Sequence, residues 1–251
     1  MIRCVFIIFF LFVNSAKSQS LNLNERHIID YLRTNQISGN LDIDYSFTIR
    51  PFTLEYSIDK KYFDRDEYSP IISSFLNNFI DLRVLPIDYS ISYNSNHPNN
   101  RNDGSMIPSA GYQQLISLGI FFTAGPLSVQ LKPENIYAEN KDFHGFPDNH
   151  YDVTWARRYN YWNQIDQPER FGNTAFKKNY LGQSYIKLNY KKLSIGISSE
   201  NIWWGPSIRN SIMMSNNAKG FNHITFNTNR PLKTKIGTFE WQFVTGRLES
   251  S

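Results

Sequence analysis

From about Leu82 onward, apolar and polar residues alternate with a period of two, in segments near the ~9–11 residues of a tilted membrane-spanning strand. In Gly182–Tyr190, Ile186, Leu188 and Tyr190 share one face and Lys187 and Asn189 the other. The next segment opposes Leu193, Ile195 and Ile197 to Ser194, Gly196 and Ser198. The same pattern places Ile116, Leu118, Ile120 and Phe122 on one face, and Leu127, Val129 and Leu131 opposite Ser128, Gln130 and Lys132. It predicts about seven strands, over 82–94, 110–124, 127–138, 182–190, 193–202, 221–229 and 235–248. Ahead of them the spacing changes. Leu23–Ile37 reads as an amphipathic helix stopped near Gly39, and Tyr45–Pro51 and Phe52–Ile58 read as extended. Asp59–Glu67 is then a charged turn, and Pro70 opens a second helix over Ile71–Phe79. So little apolar material is marginal alone, so this segment is expected to be a small plug on something larger.

The predicted connections alternate in length. Tight turns fall at Gly125-Pro126, Tyr190–Leu193 and Arg230–Lys233, whereas 95–109, 139–181 and 203–220 are long and polar. Membrane barrels have short turns at one rim and long loops at the other. A secreted antiparallel sandwich or jelly roll also alternates, because one face of each sheet is wet, and the period alone leaves it open. The turn asymmetry selects a mainly β chain: an antiparallel transmembrane β-barrel, partial and open as a sheet here, with a small N-terminal helical periplasmic plug. An odd strand count and the ending Gly246–Ser251 read as the N-terminal part of a longer barrel. The expected division is a signal peptide over 1–18, a plug over 19–80 and an incomplete barrel over 81–251.

The leader reading rests on Arg3, an apolar run from Val5 to Val13, and Ala16-Lys17-Ser18 before Gln19. The apolar run is far shorter than the ~20 residues of a spanning helix. Cys4, the single cysteine, leaves with the leader, so the exported chain is expected to lack disulfides. The formal charge of +4 falls to +2 without Arg3 and Lys17, and nothing clusters the basic residues as nucleic-acid binding requires. Aromatics make up 16% of the chain while mean hydropathy is −0.45, the mixture that aromatic girdles and polar lumen positions produce together.

Candidate chemistry lies in the long connections. Trp155, Arg157, Arg158, Tyr159, Tyr161 and Trp162 combine flat rings for the C–H faces of sugars with guanidinium groups that pair bidentately with carboxylates. Trp203, Trp204 and Arg209 repeat the combination. Interfacial girdle and loop packing are the alternative for the tryptophans, and contact with acidic lipopolysaccharide for Arg157 and Arg158. No HExxH, GxSxG or P-loop pattern occurs, and His27, His97, His144, His150 and His223 lack metal-ligand spacing. Asp142, Asp148 and Asp152 near His144 and His150 read as a polar loop. No catalytic residue, metal or cofactor is expected.

Three motifs, in order, resemble the capsule-assembly outer-membrane family called Wzi. They are Asn102-Asp103-Gly104-Ser105-Met106-Ile107-Pro108, with Gly111 and Gln113-Gln114; Gly125–Glu134, with Glu139-Asn140; and Trp203-Trp204-Gly205-Pro206 through Ser215-Asn216-Asn217-Ala218. The helix end Leu32–Gly39 and Ile49-Arg50-Pro51 also fit. The resemblance implies a cell outer membrane barrel with a helical bundle at its periplasmic mouth. Such a barrel would be a lectin-like protein holding capsular or other surface polysaccharide, its partners being that polymer, outer-membrane lipid and lipopolysaccharide. A porin-like transport barrel and a secreted soluble carbohydrate-binding sandwich are the alternatives.

Overall fold

The computed structural model describes residues 19–41, 44–54, 60–76, 79–165 and 168–248. The predicted leader over 1–18 lies outside them, as does the extended reading beyond Leu54 up to Ile58. The N-terminal segment comprises β1 (Gln19–Leu21), α1 (Arg26–Ile37), β2 (Ile49–Arg50), β3 (Phe52–Leu54) and α2 (Arg65–Tyr68). Helix α1 turns Ile29 and Leu32 onto Leu21, Leu41, Tyr45, Phe47 and Phe52, with Phe47 stacked on Phe52 at 5.2 Å. This cluster is the apolar core of the plug, and β1 pairs with β3 beneath it.

The remaining strands are β4 (Ile71–Phe75), β5 (Ile80–Asn94), β6 (Gly111–Ala124), β7 (Leu127–Leu131) and β8 (Glu134–Ala138). After α3 (Asp152–Ile165) come β9 (Phe176–Tyr180), β10 (Tyr185–Tyr190), β11 (Leu193–Ser198) and β12 (Trp203–Trp204). β13 (His223–Thr228), β14 (Leu232–Thr234), β15 (Gly237–Phe239) and β16 (Gln242–Gly246) complete the series. Ten of these form one antiparallel sheet, ordered β4-β5-β6-β7-β10-β11-β13-β16, with β8 beside β6 and β9 beside β8. β7 and β8 meet β6 in one unbroken register, from Ala124↔Leu127 to Gln113↔Ala138, and are halves of one strand interrupted at Lys132-Pro133. β9 and β10 are likewise two halves facing β8 and β7. Among the described residues β4 and β16 are free edges, and the sheet is open rather than closed on itself.

Four expectations are corrected. Where a helix was expected from Ile71, β4 runs over Ile71–Phe75, because the Pro70 carbonyl accepts from Val84 N at 3.1 Å and the available β5 edge offers the β-branched Ile71 and Ile72 a ladder. The strand expected over 182–190 begins at Phe176, where the polar run Lys177-Lys178-Asn179 hides the pattern and the β8 ladder supplies the order. The strand expected over 235–248 is β16 alone, because Leu232–Thr234 folds back on Gly237–Phe239 as a separate hairpin. The connection 139–181 contains α3.

The sheet buries its polar face. Asp81, Arg83, Gln113, Ser117, Gln130, Lys132, Asn189, Ser194, Thr225 and Asn227 are buried on the side that meets the plug. Val84, Ile87, Leu118, Ile120, Ile186, Leu188, Ile195, Ile197 and Ile224 stand exposed on the other. Tyr89, Tyr93, Tyr112 and Tyr137 sit on that outer face toward the long loops; Tyr190, Phe226, Trp241 and Phe243 lie toward the short turns. No helix of the described residues is long and apolar enough to cross a membrane.

The plug was expected near the short-turn rim and is found along the height of the concave face. Asp44 pairs with Lys233 at 2.7 Å and Ser46 N donates to Glu240 at 2.6 Å, near the short turns. Asn22 donates to Asp88 at 3.0 Å, farther up the wall. Within the plug, burial and then the charge of Asp88 raise the Glu25 carboxyl above its ordinary value of 4.5, while the Tyr68 hydroxyl, donating at 3.1 Å, opposes the shift. The folded state therefore holds this proton more tightly than the unfolded chain. The contribution is full below about 4.5 and is lost as pH rises through the higher folded value. Glu25→Gln is expected to stabilise the chain relative to wild type at pH 7, with the difference vanishing toward pH 4. Denaturation midpoints across that range in detergent check it, and a difference independent of pH would contradict it.

Candidate functional site

The concave face carries paired charges at successive heights. Arg83 donates to Asp66 at 2.9 Å and to the Ser69 carbonyl at 2.7 Å, which ties α2 to the wall. Lys132 meets Asp88 at 2.8 Å, and Lys187 meets Glu200 at 2.8 Å. Glu200 also accepts from Ser20 of β1 and from Ser198 Oγ at 3.0 Å; Glu134 accepts from Ser105 and from Gln183 Nε2 at 2.8 Å. Charges this deep persist only when paired and hydrogen-bonded, so this layer holds plug, wall and loops together. Periodicity placed these residues on a polar face without revealing their partners.

Residues 203–220 were expected as an outer loop between strands over 193–202 and 221–229; instead β11 ends at Ser198 and 199–222 fold inward. β11 ends because Ser199 Oγ donates to the Gly182 carbonyl at 2.8 Å and Asn201 N donates to Gln183 at 3.1 Å, turning the chain off the wall. β12 then pairs with β2, Trp203 opposite Arg50 and Trp204 opposite Ile49. Trp203 is 2% exposed, donates from Nε1 to the Ser207 carbonyl at 3.0 Å and lies beneath the guanidinium of Arg50 at 5.4 Å. Its ring fastens the plug and has no outward face, contrary to the expectation of a displayed surface. Trp204, partly buried, donates to Gln242 at 2.8 Å. Gly205, at φ 137°, passes against Ile212, where a β-carbon would come within 3.0 Å of the backbone nitrogen.

The loop then climbs to meet residues 101–104. Gly104 N donates to the Asn216 carbonyl at 2.8 Å, Asn102 N to Asn217 at 2.7 Å, and Asn102 Nδ2 to the Arg209 carbonyl at 2.8 Å. Two motifs about a hundred residues apart thus form one junction, with Gly104 at φ 66° and Asn102 at φ 56° permitting the tight turn. The Arg209 side chain is exposed beside it.

Helix α3 puts Trp155, Arg158, Tyr159 and Trp162 on one face through their i, i+3, i+4, i+7 spacing. Trp155 stacks on Tyr159 at 5.6 Å and meets Phe146 edge-on at 5.0 Å. The Arg158 guanidinium lies 4.4 Å from the Phe146 ring centre, covers Trp162 at 5.5 Å and pairs with Glu169. Tyr161 packs edge-on against Trp162, and Arg157 and Tyr161 face outward, with Tyr159 and Tyr161 61% and 57% exposed. The six candidates thus form one cluster, its stacked inner half supporting an exposed tyrosine and arginine surface. Nearby, His150 stacks on Phe146 and Asp142 pairs with Arg170.

The family model described as "Capsule assembly protein Wzi" matches residues 98–251, from the junction loop through the last strand. No curated protein and no solved structure matches the chain.

Proposed function

Because the chain belongs to the Wzi capsule assembly family and so has a role in capsule assembly, we propose that it is a non-enzymatic outer-membrane β-barrel protein whose loop surfaces hold capsular polysaccharide. One observation carries the membrane part of this reading: the wall buries polar residues and exposes aliphatic ones. A contiguous apolar face of this extent is a liability in water and suits hydrocarbon. The aromatics bordering it match the interfacial girdles of such walls. The plug and the inward loop occupy the concave side, which favours a closed anchoring role over an open pore. The α3 cluster, at the long-loop rim, offers ring faces and a guanidinium to a polymer approaching from outside.

The test is membrane fractionation and gel mobility, with and without boiling, of the full-length product in its native membrane. It is joined to measurement of polymer retained on cells carrying wild type or a Trp155–Trp162 truncation. The expected result is a heat-shifted outer-membrane band for both and polymer released by the truncated form. A soluble, unshifted band would overturn the barrel, and wild-type retention by the truncated form would remove α3 from the binding surface.

A further inference from the structure

Strand β5 changes face once along its length. Its ladder to β6 slips by one residue between Leu85↔Gly119 and Asp88↔Ser117, a bulge at Pro86-Ile87. Below the bulge Asp81, Arg83 and Leu85 turn inward; above it Ser90 and Ser92 do, opposite the buried Leu115 and Gln113, while Tyr89, Ile91 and Tyr93 stand exposed on the outer face. Without the extra residue the alternation would put Tyr89, Ile91 and Tyr93 on the concave side at this height. The bulge thus hands two small hydroxyls to a space of about 380 Å³ between wall, plug and junction loop. That volume falls within the ~300–1,000 Å³ of small-ligand sites.

Three segments converge on this space. The plug brings Asn24, placed by Asn22, which donates to Asp88 at 3.0 Å two residues earlier. The junction loop brings Asn102 and Asp103, and the buried Met106 and Leu115 give an apolar floor shared with Ile136. The loop is held by bonds that spend part of each polar group: Asn102 Nδ2 donates to the Arg209 carbonyl at 2.8 Å, and one Asp103 carboxylate oxygen accepts from Arg101 N at 3.0 Å. Asn24 Oδ1 accepts from Asn216 at 3.5 Å. The hydroxyls of Ser90 and Ser92, Asn24 Nδ2, Asn102 Oδ1 and the second Asp103 oxygen have no hydrogen-bond partner among the described residues. Asn24 and Asp103 are exposed, so the space opens to solvent, and Ser92 lies two residues from the upper end of β5, toward the long loops.

The unspent groups are of both kinds: an amide donor, a carbonyl and a carboxylate acceptor, and two hydroxyls that do either. Sugar hydroxyls, each donor and acceptor at once, match such a set. We propose that this space is a subsite for one sugar residue of the polymer, read through its hydroxyls by Ser90, Ser92, Asn24, Asn102 and Asp103. It recognises by hydrogen bonding where the α3 surface offers ring faces, and it rests on the polysaccharide-holding function above. Sequence reading missed it, because the bulge that turns the serines inward and the pairing of loop with plug are both tertiary.

The experiment uses the full chain in detergent micelles and titrates fluorescent oligosaccharides cut from the cells' own capsular polysaccharide, together with their O-methylated counterparts. Two double variants of the same shape are compared, Ser90→Val/Ser92→Val and Ser90→Thr/Ser92→Thr, both β-branched and suited to a strand. The Thr pair is expected to bind about tenfold or more tightly than the Val pair, the worth of one to two hydrogen bonds. Wild type is expected to prefer the native oligosaccharides over the O-methylated ones, which cannot donate, by a similar factor. The heat-shifted band of each variant reports that it remains folded. Equal affinity of the Val and Thr pairs, equal binding of native and O-methylated probes by wild type, or absence of binding to any probe overturns the subsite. Binding of the intact polymer by the same preparation, measured alongside, confines such a failure to this space; its absence as well would take the broader function with it.

Discussion

Glu200→Ala is expected to cost about 3–5 kcal/mol, the range for removing one partner of a buried ion pair. Glu200 is 2% exposed and satisfies Lys187, Ser198 and Ser20 together. Its loss leaves the Lys187 ammonium without a counter-charge in the interior and cuts the link between β1 of the plug and the wall. The N-terminal segment should become sensitive to protease before the sheet unfolds. Lys187→Met/Glu200→Leu removes both charges and should recover most of the loss, because the penalty lies in the orphaned cation rather than in the missing attraction. Denaturant titration in detergent, with proteolysis of the plug followed in parallel, provides the measurement. A Glu200→Ala variant within about 1 kcal/mol of wild type, the range of an exposed pair, would mean that the cluster is hydrated and structurally minor.

Ile197→Arg should cost about 2–4 kcal/mol in a bilayer, the penalty for a cation on the lipid face of a barrel at its midplane. The side chain is 62% exposed and lies between Ile186 of β10 and Ile224 of β13 on the outer face. Facing water, the same substitution should change stability by only about 0.5 kcal/mol. The comparison therefore reports the solvent that the wall meets. Asn135→Arg is the internal control, since Asn135 is an outward residue above the aliphatic belt and beside Asn179. Folding into lipid vesicles, followed by the heat-shifted band, should fall for Ile197→Arg and stay near wild type for Asn135→Arg. Equal behaviour of the two variants would place the outer face in water.

Much of the candidate site was legible as composition and little as position. The aromatic and cationic residues of 155–162 stand out along the chain, yet their division into a stacked face and an exposed one appears only when α3 forms. A run rich in Arg, Tyr and Asn carries no apolar stripe to announce a helix; the fold-back of Phe146 onto Trp155 and Arg158 supplies the missing partner. Trp203 and Trp204 look alike in the chain and differ in space, because β12 pairs with β2 and turns their side chains to different neighbours.

Residue order alone is enough to specify β5, β6, β7, β8, β10, β11 and β13 and their alternation, because a two-residue period is a local property of the extended backbone. Helix α1 is legible for the same reason, its apolar spacing matching the helical repeat. Tertiary structure decided which face of each strand turned inward, since alternation is the same whether the apolar or the polar side meets solvent. It made a strand of Ile71–Phe75, where pairing with β5 overrode a helical start, and joined the halves of two interrupted strands through register with their neighbours. It also drew 199–222 into the concave face, where hydrogen bonds from Ser199 and Asn201 to Gly182 and Gln183 stop β11. Those outcomes depend on partners tens to hundreds of residues away, and a local pattern carries no record of them.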